Sequence, residues 1–120
     1  MEEDVFCKII KGELPAYKVF EDERFLAFLD INPKSKGHTL VIPREHYRWI
    51  WEIPYFGDFF ETVKSIERKI EKVLNPDFIE LKVWGMDVPH AHVHLIPHYS
   101  KEQNEENFSS LAEKIRISNA

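Results

Sequence analysis

The chain of 120 residues contains a single cysteine, carries no excess of basic charge and has no long apolar run. Each absence excludes something. One thiol, Cys7, cannot close a disulfide within the chain, which fits a reducing compartment. Lys and Arg number 16 against 21 Asp and Glu, a net charge of −5. A duplex-binding surface needs clustered positive charge to displace counterions from phosphates, so no nucleic-acid partner is expected. No stretch approaches the roughly 20 apolar residues of a membrane helix. The acidic start, Met1-Glu2-Glu3-Asp4-Val5-Phe6, lacks the basic opening of a secretory signal. The expectation is a cytoplasmic chain with no membrane partner. What is present suffices for a core: 43% apolar residues, 13% of the chain being aromatic. The length fits one domain over residues 1–120, with 103–120 as a C-terminal tail.

Local patterns predict an α+β fold. Phe6 to Lys11 reads as a short N-terminal helix closed by Gly12. Tyr17 to Phe20 and Phe25 to Asp30 read as paired strands, the second largely buried, and His38 to Pro43 as a third. Phe56, Phe59, Phe60, Val63, Ile66, Ile70, Val73 and Leu74 recur at three- and four-residue steps. They mark the apolar face of one long helix that Asn75-Pro76-Asp77 ends. Phe78 to Trp84 alternates as a half-buried strand, and His92 to Pro97 is the last clear strand. Leu111, Ile115 and Ile117 suggest a docked terminal helix. The sum is a five-stranded antiparallel sheet with one long helix.

Histidine is unevenly spread: His90, His92, His94 and His98, four of the six, fall within residues 90–98. In a strand covering His90, His92 and His94, the three imidazoles share one face while Ala91, Val93 and Leu95 pack on the other. Three readings compete: a solvent-facing stripe without a task, part of a metal site, or nucleophilic catalysis tuned by neighbouring rings. Spacing does not separate the last two.

The segment His90-Ala91-His92-Val93-His94-Leu95-Ile96 resembles the H-φ-H-φ-H-φ-φ signature of the histidine triad (HIT) family, φ being apolar. Phe6 to Ala16, Phe25 to Pro33 and Gly37 to His46 resemble further segments of that family in the same order, closest to its nucleotide-binding (Hint-like) branch. The resemblance implies a HIT-like fold and a nucleotide hydrolase attacking the α-phosphorus of nucleoside monophosphate derivatives, such as adenosine phosphoramidate. His92 would be the nucleophile of a nucleotidyl-histidine intermediate. A neutral nitrogen suits that task, because it brings no second negative charge to the phosphate. The His90 carbonyl would fix the His92 tautomer, His94 would contact the phosphate or leaving group, and His38 would support them. Asp30 would accept the ribose hydroxyls, and Phe6, Ile9, Phe28 and Ile31 would enclose the base. Backbone amides around Met86-Asp87-Val88 would add donors. The family's usual partner is a second copy, and Trp49, Trp51, Tyr55, Phe56, Phe59 and Phe60 would serve a homodimer interface built on the long helix and a neighbouring strand. Dinucleoside polyphosphate hydrolysis and a nucleotide-binding regulatory module with little turnover are the alternatives.

Two departures from the family pattern stand out. Relatives often carry Gly-Gln-Ser or Gly-Gln-Thr before the triad, whereas this chain has Gly85-Met86-Asp87. A carboxylate beside an anionic phosphate is unfavourable unless protonated, metal-bound or turned away. Asp87 is therefore expected to point away from the phosphate or to select a cationic leaving group. No cofactor is required. Some bacterial relatives, however, hold structural zinc with Cys-x-x-Cys and two histidines, and Asp4, Cys7, His46 and His90 stand at the matching positions. His98 has no assigned role beyond a phosphate contact.

Overall fold

A computed structural model describes residues 3–120. Five antiparallel strands, β1 (Lys18–Glu21), β2 (Phe25–Leu29), β3 (Thr39–Pro43), β4 (Phe78–Lys82) and β5 (Val93–His98), form one sheet in the order β1-β2-β3-β5-β4. Helix α1 (Val5–Ile10) precedes the sheet, α2 (Phe56–Leu74) joins β3 to β4, and α3 (Phe108–Arg116) follows β5. This is the α+β architecture that the sequence pattern predicts.

Alternation along the central strands sorts side chains onto two faces. Phe25, Ala27, Leu29, Val41, Val93 and Leu95 meet Phe59, Val63, Ile66 and Ile70 of α2 and Leu111, Ala112 and Ile115 of α3. Leu26, Phe28, Leu40 and Ile42 lie on the opposite face under Phe6, Ile9 and Ile10 of α1. Because both faces are covered, β2 and β3 read as unbroken apolar runs. Asn75 ends α2 in the left-handed conformation at φ 48°, which asparagine tolerates better than most residues.

Four details differ from the sequence expectation. Phe59 is fully buried in the core, so it cannot serve a surface interface. Ile117 lies beyond α3 and is 68% exposed, because that helix turns only Leu111, Ala112 and Ile115 inward. Strand β4 occupies a sheet edge, which leaves Phe78 and Leu81 exposed rather than half-buried. A short 3-10 turn at Ile50–Glu52, within the aromatic segment, carried no recognisable periodicity. The tail is no loose appendage either: α3 packs on β1 and α2. Among the described residues, no helix is long and apolar enough to cross a membrane.

Candidate active site

The α1 side of the sheet carries the chemistry. Register places Phe28 opposite Leu40 and Leu40 opposite His94, so these three side chains form one row across β2, β3 and β5. Asp30 and His38 stand just beyond the ends of β2 and β3, joined by an Asp30 N–H to His38 carbonyl bond of 2.9 Å. Three separate segments thereby bring Asp30, His38 and His94 together, with ligand-type atoms all within 4.8 Å.

Hydrogen-bond geometry fixes the tautomers one ring at a time. The Lys34 backbone N–H donates to His38 Nδ1 at 3.1 Å, so the ring hydrogen of neutral His38 is on Nε2. That Nε2–H donates to His94 Nδ1 at 2.9 Å, leaving the hydrogen of neutral His94 on Nε2, 3.4 Å from Asp87 Oδ2. Burial disfavours the imidazolium and lowers the pKa of both rings, although Asp30 beside His38 and Asp87 beside His94 pull the other way. His94 is therefore a neutral ring that still offers a donor.

His92 has the opposite arrangement. Its Nδ1–H donates to the His90 carbonyl at 2.6 Å, so in the neutral ring Nε2 holds a free lone pair. Phe6 packs edge-on against it, with ring centroids 5.1 Å apart, and the ring is buried. Nε2 lies 3.0 Å from Asp87 Oδ1. Asp87 is thus turned into the histidine pair, not away from it as one sequence expectation held. Burial alone would raise its pKa, but the adjacent His92 and His94 and a backbone hydrogen bond hold it below the ordinary carboxylate value.

A cavity of about 510 Å³ opens beside these groups. Phe6, Ile9, Phe28 and Ile31 line its apolar part, while Asp30, Asp87 and His94 stand at its polar part. Asp30 is half-buried, and its Oδ1 accepts the Asn32 N–H at 2.9 Å, which offsets the cost of placing a carboxylate at the end of a buried strand. The pocket residues expected from sequence are therefore neighbours in space.

His90 does not belong to this row. Strand β5 begins at Val93, and the backbone before it leaves strand geometry, so the expected shared face is restricted to His92 and His94. The His90 ring turns toward α1. Its Nε2–H donates to the Pro43 carbonyl at 2.9 Å, and Nδ1 lies 3.3 Å from Asp4 Oδ2 and 3.6 Å from Cys7 Sγ. Asp4 caps α1 by accepting the Cys7 N–H at 2.8 Å and is buried. His46 Nε2 lies 3.1 Å from Asp4 Oδ2 and donates to the Pro89 carbonyl at 2.8 Å.

Burial lowers the His90 pKa and keeps its Nδ1 bare, so two unprotonated acceptors face each other beside a thiol. One oxygen, one sulfur and two imidazole nitrogens within 4.8 Å suit zinc in number, type and spacing. Asp4, Cys7, His46 and His90 would hold such an ion by exchanging the bonds just described.

His98 lies apart from His92 and His94 in its contacts. It stands at the end of β5 beside the edge strand, stacks on Phe78 at 4.5 Å between centroids, and meets Glu80 Oε1 at 2.8 Å. The Lys34 amide that orients His38 lies in an irregular loop, and no residue pattern marked it.

Fold and site together define an antiparallel α+β protein whose sheet presents paired imidazoles at the end of an apolar cleft. This chain belongs to the histidine triad family: the HIT domain model matches residues 11–101. It is 45% identical over 102 residues to an uncharacterized HIT-like protein of Methanocaldococcus jannaschii, covering 79% of this chain and 78% of that one. It is 37% identical over 98 residues to the adenosine 5'-monophosphoramidase HNT1 of Saccharomyces cerevisiae, covering 78% of this chain and 61% of the yeast protein. A zinc-bound histidine triad family protein from Mycobacterium smegmatis superposes with a TM-score of 0.79 at 29% identity, covering 93% of this chain and 89% of that one.

Proposed function

We propose that this chain hydrolyses nucleoside monophosphate derivatives, of which adenosine phosphoramidate is the simplest, by nucleophilic attack of His92 on the α-phosphorus. One observation carries the reading: His92 is buried, its Nδ1–H is committed to the His90 carbonyl at 2.6 Å, and its Nε2 is directed at Asp87, a residue of the cleft lining, at 3.0 Å. Attack by Nε2 breaks the bond to the leaving group and gives a nucleotidyl-histidine, which water resolves to the monophosphate. His94, a neutral donor oriented by His38, supplies an N–H to the phosphoryl oxygens as charge develops. The apolar walls take the base and Asp30 takes the ribose hydroxyls. The yeast relative's monophosphoramidase name supports the same substrate class.

In the same reading two copies pair. Support comes from the free edge of β4 with exposed Phe78 and Leu81, from exposed Trp84 just after that strand, and from exposed Trp51 before α2. Zinc at Asp4, Cys7, His46 and His90 would tie α1 to the loop before β5. The activity test is steady-state release of AMP from adenosine phosphoramidate and from a dinucleoside polyphosphate, each with wild-type protein and with His92→Asn. The reading expects faster turnover of the phosphoramidate and loss of turnover in the variant. AMP binding without any turnover would instead mark a nucleotide-binding module.

A further inference from the structure

Strand pairing lays one row of side chains across the sheet on the α1 side. Phe28 of β2 stands opposite Leu40 of β3, Leu40 opposite His94 of β5, and His94 opposite Lys82 of β4. Neighbouring strands lie about 4.8 Å apart, so the row marks successive positions along one extended ligand. The apolar cleft covers the β2 and β3 end of the row and reaches His94. A nucleotide with its base in that cleft and its phosphorus at His92 and His94 therefore has the β4 side left for its leaving group.

A second cavity, of about 300 Å³, opens on that side, with Lys34, Glu80, Lys82, Ile96, His98 and Tyr99 in its lining. Its volume is about ten times the ~30 Å³ share of one water, which is room for a short acidic chain. Several polar side chains around it are already committed. The His98 Nε2–H donates to Glu80 Oε1 at 2.8 Å, and the Tyr99 hydroxyl donates to the Lys36 carbonyl at 2.6 Å. The His98 hydrogen bond, with Lys82 and Lys34 adding to it, holds the Glu80 carboxyl below its ordinary value, so Glu80 stays ionised. Lys34 and Lys82 differ: among the described residues, neither ammonium is held in an ion pair, unlike Lys11, Lys18, Lys36 and Lys114. Two cations to one carboxylate make this corner positive in a chain whose net charge is −5.

We infer that this cavity receives the leaving group, and that Lys82 and Lys34 select one carrying a negative charge of its own. The inference rests on the hydrolase reading above and names the substrate within it: a nucleoside phosphoramidate whose departing amine bears a carboxylate or a phosphate. An ammonium meeting that acid forms a charge-assisted hydrogen bond that an uncharged amine does not offer. The spacing suits it. Directly opposed residues have Cβ atoms about 4.5–5.5 Å apart, and the four-carbon stem of lysine is flexible. An acid a few bonds beyond the scissile nitrogen is thus within reach of Lys82. Lys34 flanks the cavity from the loop before β3, where its backbone N–H donates to His38 Nδ1 at 3.1 Å. Two copies pairing along the β4 edge leave this face open, because ladder hydrogen bonds lie in the plane of the sheet and Lys82 stands out of it.

Three adenosine 5'-phosphoramidates of similar length test it, those of butylamine, β-alanine and 2-aminoethyl phosphate. The readout is the ratio of kcat/KM for each acidic amine to kcat/KM for butylamine. Wild-type protein is expected to favour an acidic amine, and the arm with the higher ratio tells whether the cavity takes a carboxylate or a phosphate. Lys82→Gln is expected to lower that ratio about tenfold, chiefly through KM, the low end for a hydrogen bond to a charged group. Lys82→Arg should keep the preference and Lys82→Glu should invert it. Lys82 lies on the edge strand outside both apolar clusters, so these variants are expected to fold. A ratio that is the same in wild type, Lys82→Gln and Lys82→Glu, or a wild-type preference for butylamine, would overturn the subsite while leaving the hydrolase reading intact. Wild-type protein that cleaves none of the three would overturn both.

Discussion

The Nε2–H of His38 donates to Nδ1 of His94 across 2.9 Å, joining the residue just before β3 to the start of β5 inside the protein. Because Lys34 fixes the other side of His38, the chain of bonds has one direction and leaves His94 with a donor toward the cleft. His38→Phe removes that orientation while keeping a ring. The variant is expected to lose roughly tenfold or more in kcat with little change in AMP affinity, and His94→Phe to lose about 10²-fold or more. Steady-state kinetics with parallel AMP binding by calorimetry checks both. A His38 variant with unaltered kcat would remove the relay from the account.

Asp30 is expected to govern recognition of the sugar. Hydrogen bonds to a charged group contribute about 1.5–3 kcal/mol, so Asp30→Ala should weaken AMP binding by roughly 10–100-fold. The loss should be much smaller for 2',3'-dideoxy-AMP, which has no hydroxyls to offer. Calorimetry with both ligands decides it, and equal weakening of the two would show that Asp30 acts through the fold.

Stability should depend on pH through the same rings. Burial lowers the folded-state pKa of His38 and His94 from the ordinary 6.5, so on acidification the unfolded chain binds protons first. Their contribution is full above about pH 6.5 and is lost as pH falls through the lower folded values. Asp87, also held low, loses its contribution only below the ordinary carboxylate value of 3.8. Thermal unfolding followed between pH 7.5 and 5, in the range about the histidine value, should show Tm falling toward the acid side. The double variant His38→Gln/His94→Gln should flatten that slope, and a wild-type Tm independent of pH would contradict the assignment.

Much of this was legible in the sequence because the sheet is covered on both faces. Continuous apolar runs marked β2 and β3, and the three- and four-residue steps of Phe59, Val63, Ile66 and Ile70 marked α2. His92, His94, Asp30 and the apolar slot were readable from the triad and its companion segments. His90 was misplaced because alternation holds only within a strand, and β5 starts after it. Asp87 was misdirected because repulsion from a phosphate was weighed without the two imidazoles that its carboxylate meets. The Lys34 bond to His38 has no signature, since any residue's amide would serve.

Metal content is a separate matter from catalysis. Protein purified without a histidine tag is expected to contain or take up about one equivalent of zinc per chain at Asp4, Cys7, His46 and His90. Cobalt substitution should give a thiolate charge-transfer band that Cys7→Ser abolishes. Uptake below about a tenth of an equivalent would exclude zinc from this cluster.

His92 is the nucleophile of the proposed reaction. Rapid quenching of the protein with an isotopically labelled nucleoside phosphoramidate, followed by peptide mass spectrometry, tests that assignment directly. One labelled nucleotide should be found on the His92 imidazole, formed and lost at rates compatible with turnover, and His92→Asn should accumulate none. An adduct on another residue, or unchanged turnover in His92→Asn, would contradict the nucleophile assignment.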